Sequence, residues 1–241
     1  MPLLSVSGLS KSFGGLRAVD NLSFDVEEGS ITGVIGPNGA GKSTLFAVLT
    51  GFHPATQGSW ALDGRPLRGL SPEAICGLGM VRTFQIVQMF PGMNVLENVM
   101  VAAAHRSRDR AEAARHAMEA LEWVGLTPKQ LHPTGSLTLA DKKAMEMAKA
   151  CASGARVILL DEVMAGLRPA EVERVVQTIL ALRSQRRLTF LIVEHLMDAV
   201  MALSDEIIVL NFGALLAKGT PAQVQRDPQV LEAYLGVGAN A

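Results

Sequence analysis

The chain has 241 residues, 49% of them hydrophobic, and 22 basic against 23 acidic side chains give a formal net charge of −1. This length can bury a substantial core, as one large α/β domain or one domain with a lobe. The balanced charge excludes an overall field that favours nucleic acid, and the apolar runs fall well short of the roughly 20 residues that span a bilayer. Since the N-terminus lacks a signal-peptide pattern and the two cysteines lack metal-ligand spacing, we expect a protein of a reducing compartment, soluble by itself.

The first predicted elements are β-strands. Residues 4–6 and 19–26 alternate hydrophobic and polar side chains, which is typical of half-buried strands. A Gly-Ser turn then leads into an apolar run at residues 31–35, which predicts a buried strand. A run at residues 44–49 predicts the first helix.

Between this strand and this helix, residues 36–43 fit the pattern G-x-x-x-x-G-K-[ST] without a mismatch. A phosphate cradle needs a strand, a tight loop and a helix start in that order, because the loop amides and the helix N-terminus then face one anion. A glycine-rich turn that happens to precede a lysine is the alternative, and it leaves the flanking elements unexplained. We therefore predict that the chain binds a nucleoside triphosphate with Mg²⁺. The predicted contacts are Gly36, Pro37, Asn38, Gly39, Ala40, Gly41, Lys42 (outer phosphates) and Ser43 (Mg²⁺).

The middle of the chain changes from β to helical character. Residues 59–62 and the following Asp-Gly pair predict a strand that enters a hairpin turn. Residues 97–149 read as helical, with a helix over residues 102–124 that is broken by two prolines within residues 126–133. We expect this part to be an insertion in an α/β core.

The last third alternates between the two types of element. Apolar runs at residues 156–160, 188–193 and 206–210 predict strands, and helices are predicted at residues 170–183 and 196–203. Such alternation is typical of parallel strands joined by crossover helices.

Two acids follow the first of these strands. Asp161 and Glu162 end the apolar run, and the carboxyl end of a buried parallel strand is where ligands bind in an open sheet. Asp161 would face Mg²⁺ through water, and Glu162 would polarise an attacking water. The alternative is a strand that simply ends in solvated acids. With a phosphate loop in the same chain, the acid pair indicates transfer of a phosphoryl group to water.

Two further polar residues complete the predicted site. His195 ends the next strand, where a neutral imidazole could hydrogen-bond the γ-phosphate and sense its loss. A histidine at a strand end is often structural, but this one follows the acid pair by one helix and one strand. Gln85 begins the junction with the helical insertion, where an amide could contact the metal or the water.

Together these residues resemble the ATP-binding cassette (ABC) ATPases over essentially the whole chain. The resemblance implies an α/β fold with a parallel-sheet core, an N-terminal antiparallel β subdomain and a helical insertion. It also implies one domain over residues 1–241, with the core at 1–86 and 151–241 and the helical subdomain at 87–150. In this family the aromatic at the position of Phe13 stacks on adenine, although a core phenylalanine is the alternative. The phosphate loop extends to Thr44, and the signature segment reaches a second cassette.

A closer resemblance is to the ATPase subunits of branched-chain amino acid importers. It rests on Lys11-Ser12-Phe13-Gly14-Gly15-Leu16, on Val81-Arg82-Thr83-Phe84-Gln85 and on Ala233-Tyr234-Leu235-Gly236. Related importers of urea, amides or aromatic acids share these features, so the sequence does not name the solute.

The signature segment departs from the family pattern. Residues 137–141 read Leu-Thr-Leu-Ala-Asp where most ABC ATPases have Leu-Ser-Gly-Gly-Gln. Thr138 keeps a hydroxyl for the partner's γ-phosphate, but Leu139 and Ala140 add side chains and Asp141 places a carboxylate near a phosphate. Repulsion over ~5 Å costs about 1 kcal/mol or more. Thr138 and Asp141 also fit a helix capping box, and nearby lysines could neutralise the acid.

The resemblance implies an ATPase that drives solute import. We expect ATP and Mg²⁺ as ligands, Asp161, Ser43 and Gln85 at the metal, Glu162 as general base and His195 as a switch. The expected partners are a second ABC subunit (a different chain in view of the signature, with a homodimer as the alternative), a membrane permease that docks near residues 89–99, and indirectly an extracytoplasmic solute-binding protein. The location would be the inner face of the cell membrane. The alternatives are a regulatory subunit with weak turnover, a soluble ABC ATPase of DNA repair or translation, and a small-molecule kinase.

Overall fold

The computed structural model describes residues 2–84, 86–107 and 109–235. The strands are β1 (Leu4–Phe13), β2 (Leu16–Val26), β3 (Ile31–Ile35), β4 (Gln57–Leu62), β5 (Arg65–Pro66), β6 (Met80–Arg82), β7 (Val157–Asp161), β8 (Thr189–Val193), β9 (Glu206–Asn211) and β10 (Ala214–Gly219). The helices are α1 (Lys42–Leu49), α2 (Pro72–Gly77), α3 (Val95–Ala103), α4 (Arg110–Trp123), α5 (Leu139–Ala152), α6 (Pro169–Arg186), α7 (Met197–Leu203), α8 (Pro221–Val224) and α9 (Pro228–Leu235).

The described strands form two sheets. The larger has the order β10-β9-β3-β8-β7-β6, in which β10 is antiparallel to β9 and the other neighbours are parallel. The smaller is antiparallel, with the order β2-β1-β4-β5. The predicted α/β fold, with a parallel core and an N-terminal antiparallel part, is confirmed.

The core lies on both faces of the parallel sheet. Every residue of β3, β7 and β8 is buried, as expected for strands that helices cover on two sides. Successive side chains alternate between the faces: Leu159 packs in the cluster that contains Phe46 of α1, whereas Ile158 packs in the cluster that contains Ile179 of α6.

The helical insertion has its own core, in which α3, α4 and α5 pack together. The prediction of a continuous helix over residues 102–124 was wrong, because α3 ends at Ala103 and α4 begins at Arg110. The Asp109 side chain explains the new start, since its Oδ1 accepts a hydrogen bond from the Ala111 backbone N–H at 3.1 Å. After Trp123 the chain turns at Gly125, which has a φ of +71°.

Among the described residues, no helix is both long enough and apolar enough to cross a bilayer.

The antiparallel sheet depends on a close approach at Gly58. This residue has a φ of +84°, and a Cβ placed on it would lie 2.3 Å from the Gly8 carbonyl oxygen. We expect Gly58→Ala to lower the free energy of unfolding by about 3 kcal/mol or more, through backbone strain and displacement of β1. Chemical denaturation measures this change.

Gly64→Ala is the matched control, because Gly64 has a similar φ of +72° but nothing within 4 Å of the added Cβ. It carries the backbone cost alone, about 1–2 kcal/mol. Equal losses in the two variants would contradict the proposed clash.

Candidate functional site

The loop between β3 and α1 has the geometry of an anion cradle. Gly41 precedes α1 with a φ of +99°, and a Cβ there would lie 2.2 Å from the Ala18 carbonyl oxygen. Gly39, with a φ of +81°, has nothing within 4 Å of the position of a Cβ, so the loop is open on that side. In the described chain no side chain caps α1 and no acid lies in its first turn. The N–H groups at this helix start therefore suit an anion.

Lys42 lies inside this loop. Its buried ammonium donates hydrogen bonds to the Gly36 and Pro37 carbonyl oxygens, at 2.7 and 3.0 Å. Burial lowers the pKa of Lys42, and the nearby Glu162 and Asp161 carboxylates oppose that shift. The ammonium is thus placed where the loop folds around an anion, with two carboxylates as its electrostatic neighbours.

The Asp161 carboxylate is buried at the end of β7. It accepts a hydrogen bond from the Arg82 guanidinium, which comes from the end of the neighbouring strand β6. The Asp161 backbone N–H donates to Thr83 Oγ1 at 3.2 Å, and that hydroxyl lies 3.4 Å from the Leu159 carbonyl oxygen, to which it donates. The roles of Arg82 and Thr83 were not predicted from the sequence. Their position just before Gln85, at the end of a short strand, was the sequence feature that could have indicated these roles.

Glu162 and His195 meet at the same edge of the sheet. In the parallel pair β7–β8, Asp161 lies opposite Val193, and the chain therefore brings the two side chains together. Glu162 Oε1 is 3.0 Å from His195 Nε2. Glu162 has a φ of +51°, a strained value for a non-glycine residue that aims its carboxylate out of the strand direction.

Two buried charged side chains, Glu194 and Lys143, bond to the backbone of this turn. Glu194 Oε1 accepts a hydrogen bond from the Met164 backbone N–H at 2.7 Å, and Lys143 Nζ donates to the Glu162 carbonyl oxygen at 2.9 Å. Burial raises the pKa of Glu194 and lowers the pKa of Lys143. Neither residue was predicted from the sequence, although an acid directly before His195, at the end of a buried strand, was a usable signal.

The signature segment begins α5 and is capped by its own side chains. The Thr138 backbone N–H and hydroxyl donate to Asp141 Oδ2 at 3.1 and 2.7 Å, and the Asp141 backbone N–H donates to Thr138 Oγ1 at 3.2 Å. Lys129 Nζ donates to the same carboxylate oxygen at 2.6 Å. Burial opposes the shift, but the bonds from Lys129 and Thr138 hold the pKa of Asp141 below its usual value. Asp141 is therefore an ionised carboxylate with Lys129 as its counter-ion, and the capping-box alternative is confirmed.

Two further predicted contacts are Phe13, for adenine, and Gln85, for the metal. Phe13 is 43% exposed, so the alternative of a core phenylalanine was wrong. Its ring packs edge-on against His53 with centroids 5.3 Å apart, and Lys11 Nζ lies 4.7 Å from its centroid. Gln85 lies outside the described residues.

The residues present fit a magnesium ion that arrives with phosphates. Among the described residues, no cluster of three or more His, Cys, Asp or Glu side chains could hold a metal ion by itself. Mg²⁺ is usually bound by one or two carboxylates, waters and the substrate's own phosphates. Asp161 and the exposed Ser43, the second residue of α1, supply such a partial set. Thr44, the next residue, is half-buried.

Comparisons with known proteins agree on one family. The family model described as "ABC transporter" matches residues 19–165, and the model described as "Branched-chain amino acid ATP-binding cassette transporter" matches residues 214–240. The chain is 41% identical to the high-affinity branched-chain amino acid transport ATP-binding protein BraF of Pseudomonas aeruginosa and 39% identical to LivG of Escherichia coli K12, each over 98% of both chains.

Solved structures give the same result. A nucleotide-free ATP-binding cassette from an ABC transporter matches with a TM-score of 0.89 and 30% identity, covering 98% of this chain and 100% of that one. The ADP conformation of an ATP-binding cassette of an ABC transporter matches with a TM-score of 0.88 and 30% identity, covering 98% of this chain and 99% of that one.

The burial of Glu194 predicts a pH dependence of the free energy of unfolding. Because its pKa is raised in the folded chain, the folded state binds this proton more tightly than the unfolded chain does. Ionisation of Glu194 therefore lowers the free energy of unfolding as pH rises above the usual pKa of glutamate. At lower pH the side chain is protonated in both states, and this loss of stability is absent. Glu194→Gln keeps an acceptor for Met164 and removes the charge. We expect its free energy of unfolding to improve relative to the native chain as pH rises above the usual pKa of glutamate.

Denaturant titrations at each pH measure this difference, and Glu173→Gln, at an exposed position on α6, is the control. A difference for Glu194→Gln that does not change with pH would contradict the cost of burying its charge.

Proposed function

Because this chain belongs to the ABC transporter family of ATP-binding proteins, we propose that it is the ATP-hydrolysing subunit of an importer of branched-chain amino acids or a related small organic solute. The observation that carries the ATPase role is the 3.0 Å contact between Glu162 and His195 at the sheet edge that holds Lys42. The names of relatives that align over 98% of both chains support the solute class.

The phosphate loop would bind the triphosphate of ATP. Lys42 would exchange its two carbonyl partners for phosphate oxygens, and the backbone N–H groups of the loop residues other than Pro37 would donate to the phosphates. Ser43, Asp161 and Gln85 would hold Mg²⁺, which supplies neutralisation of the phosphate charge when it is bound. Phe13, exposed at the end of β1, would stack on adenine.

Glu162 would act as the general base. Its carboxylate accepts a proton from a water that attacks the γ-phosphorus, the bond to the bridging oxygen breaks, and the products are ADP and phosphate. The His195 imidazole orients this carboxylate through Nε2 and would contact the γ-phosphate, so loss of that phosphate changes its surroundings. The strained φ of Glu162 and the support from Lys143 fix the turn that carries the base.

The permease would dock in the groove between the core and the helical insertion. This cavity of about 360 Å³ is lined by residues of both parts, including Phe52, Phe84, Gln88 and His105. Exposed Phe90 and Met93 in the adjoining segment, residues 89–99, add an adaptable apolar surface. The subunit would thus lie at the inner face of the membrane, linked through the permease to an extracytoplasmic solute-binding protein.

The signature segment favours a second cassette of different sequence. The Thr138 hydroxyl is bonded to Asp141, and that carboxylate lies where a partner's γ-phosphate would approach the start of α5. We infer that the composite site built from this signature turns over slowly. The other site, which joins this chain's phosphate loop and Glu162 to the partner's signature, carries most of the hydrolysis. A regulatory subunit with weak turnover is the second candidate, and the same hydrogen bond favours it.

Glu162→Gln tests the ATPase role. Loss of the general base should lower ATP turnover at the site that Glu162 serves by about 100-fold or more, so the purified permease complex keeps only the turnover of its second composite site. Binding of a fluorescent ATP analogue should stay within about two-fold. Glu171→Gln, at the start of α6, is the control for an added amide. Undiminished turnover in Glu162→Gln would contradict our assignment of the base.

Asp141→Asn tests the asymmetry, in complexes that also carry Glu162→Gln. With this chain's own base removed, the remaining turnover comes from the partner's phosphate loop and this chain's signature. We expect Asp141→Asn to raise that turnover by about five-fold, because a repulsion of about 1 kcal/mol or more is lost. Lys129→Gln should lower it, since the carboxylate then lacks its counter-ion. Equal turnover of the two composite sites in the complex without Asp141→Asn would refute the asymmetry.

A further inference from the structure

The end of β6 places a cation on the Asp161 carboxylate. Arg82 is the last residue of β6 and is paired with Leu159 of β7, two positions before Asp161. Its Nη2 donates to Asp161 Oδ2, and the two side chains are 12% and 4% exposed. Removing either partner of an ion pair this buried leaves an uncompensated charge.

The guanidinium is held by aromatic rings as well as by the acid. Its Cζ lies 5.9 Å from the Phe46 centroid and 5.8 Å from the Phe84 centroid, within the range of cation–π attraction. Phe84 in turn packs edge-on against Phe52, with centroids 5.6 Å apart. Arg82 Nε is buried and makes no hydrogen bond to any of the described residues. Asp161 is therefore the hydrogen-bond acceptor that fixes the Arg82 guanidinium. If the Asp161 carboxylate binds a metal instead, the guanidinium can remain between the two aromatic rings.

We infer that Arg82 is a positioning residue that holds Asp161 in place and competes with Mg²⁺ for its carboxylate. The inference rests on the proposed function, since it takes Asp161 to be part of the metal site. A carboxylate oxygen that accepts from Arg82 has less charge to offer a metal shell. Binding of Mg²⁺ with the nucleotide therefore has to weaken the Arg82–Asp161 bond, and the Mg²⁺ concentration that the site requires is higher than the bare carboxylate would need.

Arg82 also borders the groove proposed for the permease. Arg82, Phe84 and Phe52 all line that cavity. A segment that enters the groove meets the rings that hold the guanidinium, so the same side chain faces the metal site on one side and the docking surface on the other.

The test is a Mg²⁺ titration of nucleotide binding to the full chain. Binding of a fluorescent ADP analogue is measured first with chelator and then at increasing Mg²⁺. For Arg82→Gln we expect the half-saturating Mg²⁺ concentration to fall by about five-fold or more, with affinity in chelator no higher than that of the native chain. The thermal midpoint of the variant in chelator should fall below that of the native chain, and Mg²⁺ with ADP should restore most of the difference.

Two further variants separate the proposed competition from a general loss of stability. Arg82→Lys retains the charge with a single donor group and should lie between the native chain and Arg82→Gln, so it serves if the latter folds poorly. Arg156→Gln removes an arginine next to the other end of β7, where it pairs with Asp63 and Glu28, and should not change the Mg²⁺ requirement.

An unchanged or raised Mg²⁺ requirement in both Arg82 variants overturns the inference. The same shift in Arg156→Gln also overturns it, because the effect would then follow from general loss of stability. If the native chain binds the ADP analogue without any dependence on Mg²⁺, the proposed metal site itself fails, and this outcome is visible before any variant is compared.

Discussion

The site depends on a balance of buried charge at the carboxyl edge of the parallel sheet. Three carboxylates (Asp161, Glu162, Glu194) and three cations (Lys42, Arg82, Lys143) gather where β3, β6, β7 and β8 end. Each charge would be costly to bury alone, so every group constrains the position of its neighbours. Parallel pairing with all side chains of β7 and β8 buried is what brings these groups to one edge. A nucleotide with its metal ion would therefore enter a network that already holds both carboxylates and cations.

Much of this arrangement could be predicted from local sequence. The phosphate loop has a fixed spacing, and the apolar runs before Asp161 and before Glu194-His195 mark buried strands whose ends share an edge. The supporting residues could not be predicted in the same way. Arg82 reaches Asp161 across 79 positions, and Lys143 reaches the Glu162 carbonyl from a helix of the insertion. Such contacts depend on strand order and helix packing, which no short pattern encodes. The break between α3 and α4 was missed for a related reason, because the Asp109 cap outweighs the helix-forming residues around it.

The two halves of the nucleotide machinery differ in how open they are. At α1 the first turn has no acid and no capping side chain within the described chain, so its backbone donors can serve an anion from solution. At α5 the equivalent donors are bonded to Thr138 and Asp141, with Lys129 against the same carboxylate. One helix start leaves its donors open to an anion, whereas two N–H groups at the other are bonded within the chain. This contrast is the observation behind the proposal of two unequal ATP sites.

The internal cap of α5 has a consequence for the lifetime of an unassembled subunit. Helix ends with unmet donors fray and invite non-native contacts while a polypeptide waits for its partner. Here that end is closed by residues of the same chain, within three positions of each other. The start of α5 therefore needs no contact from a second polypeptide to keep these bonds.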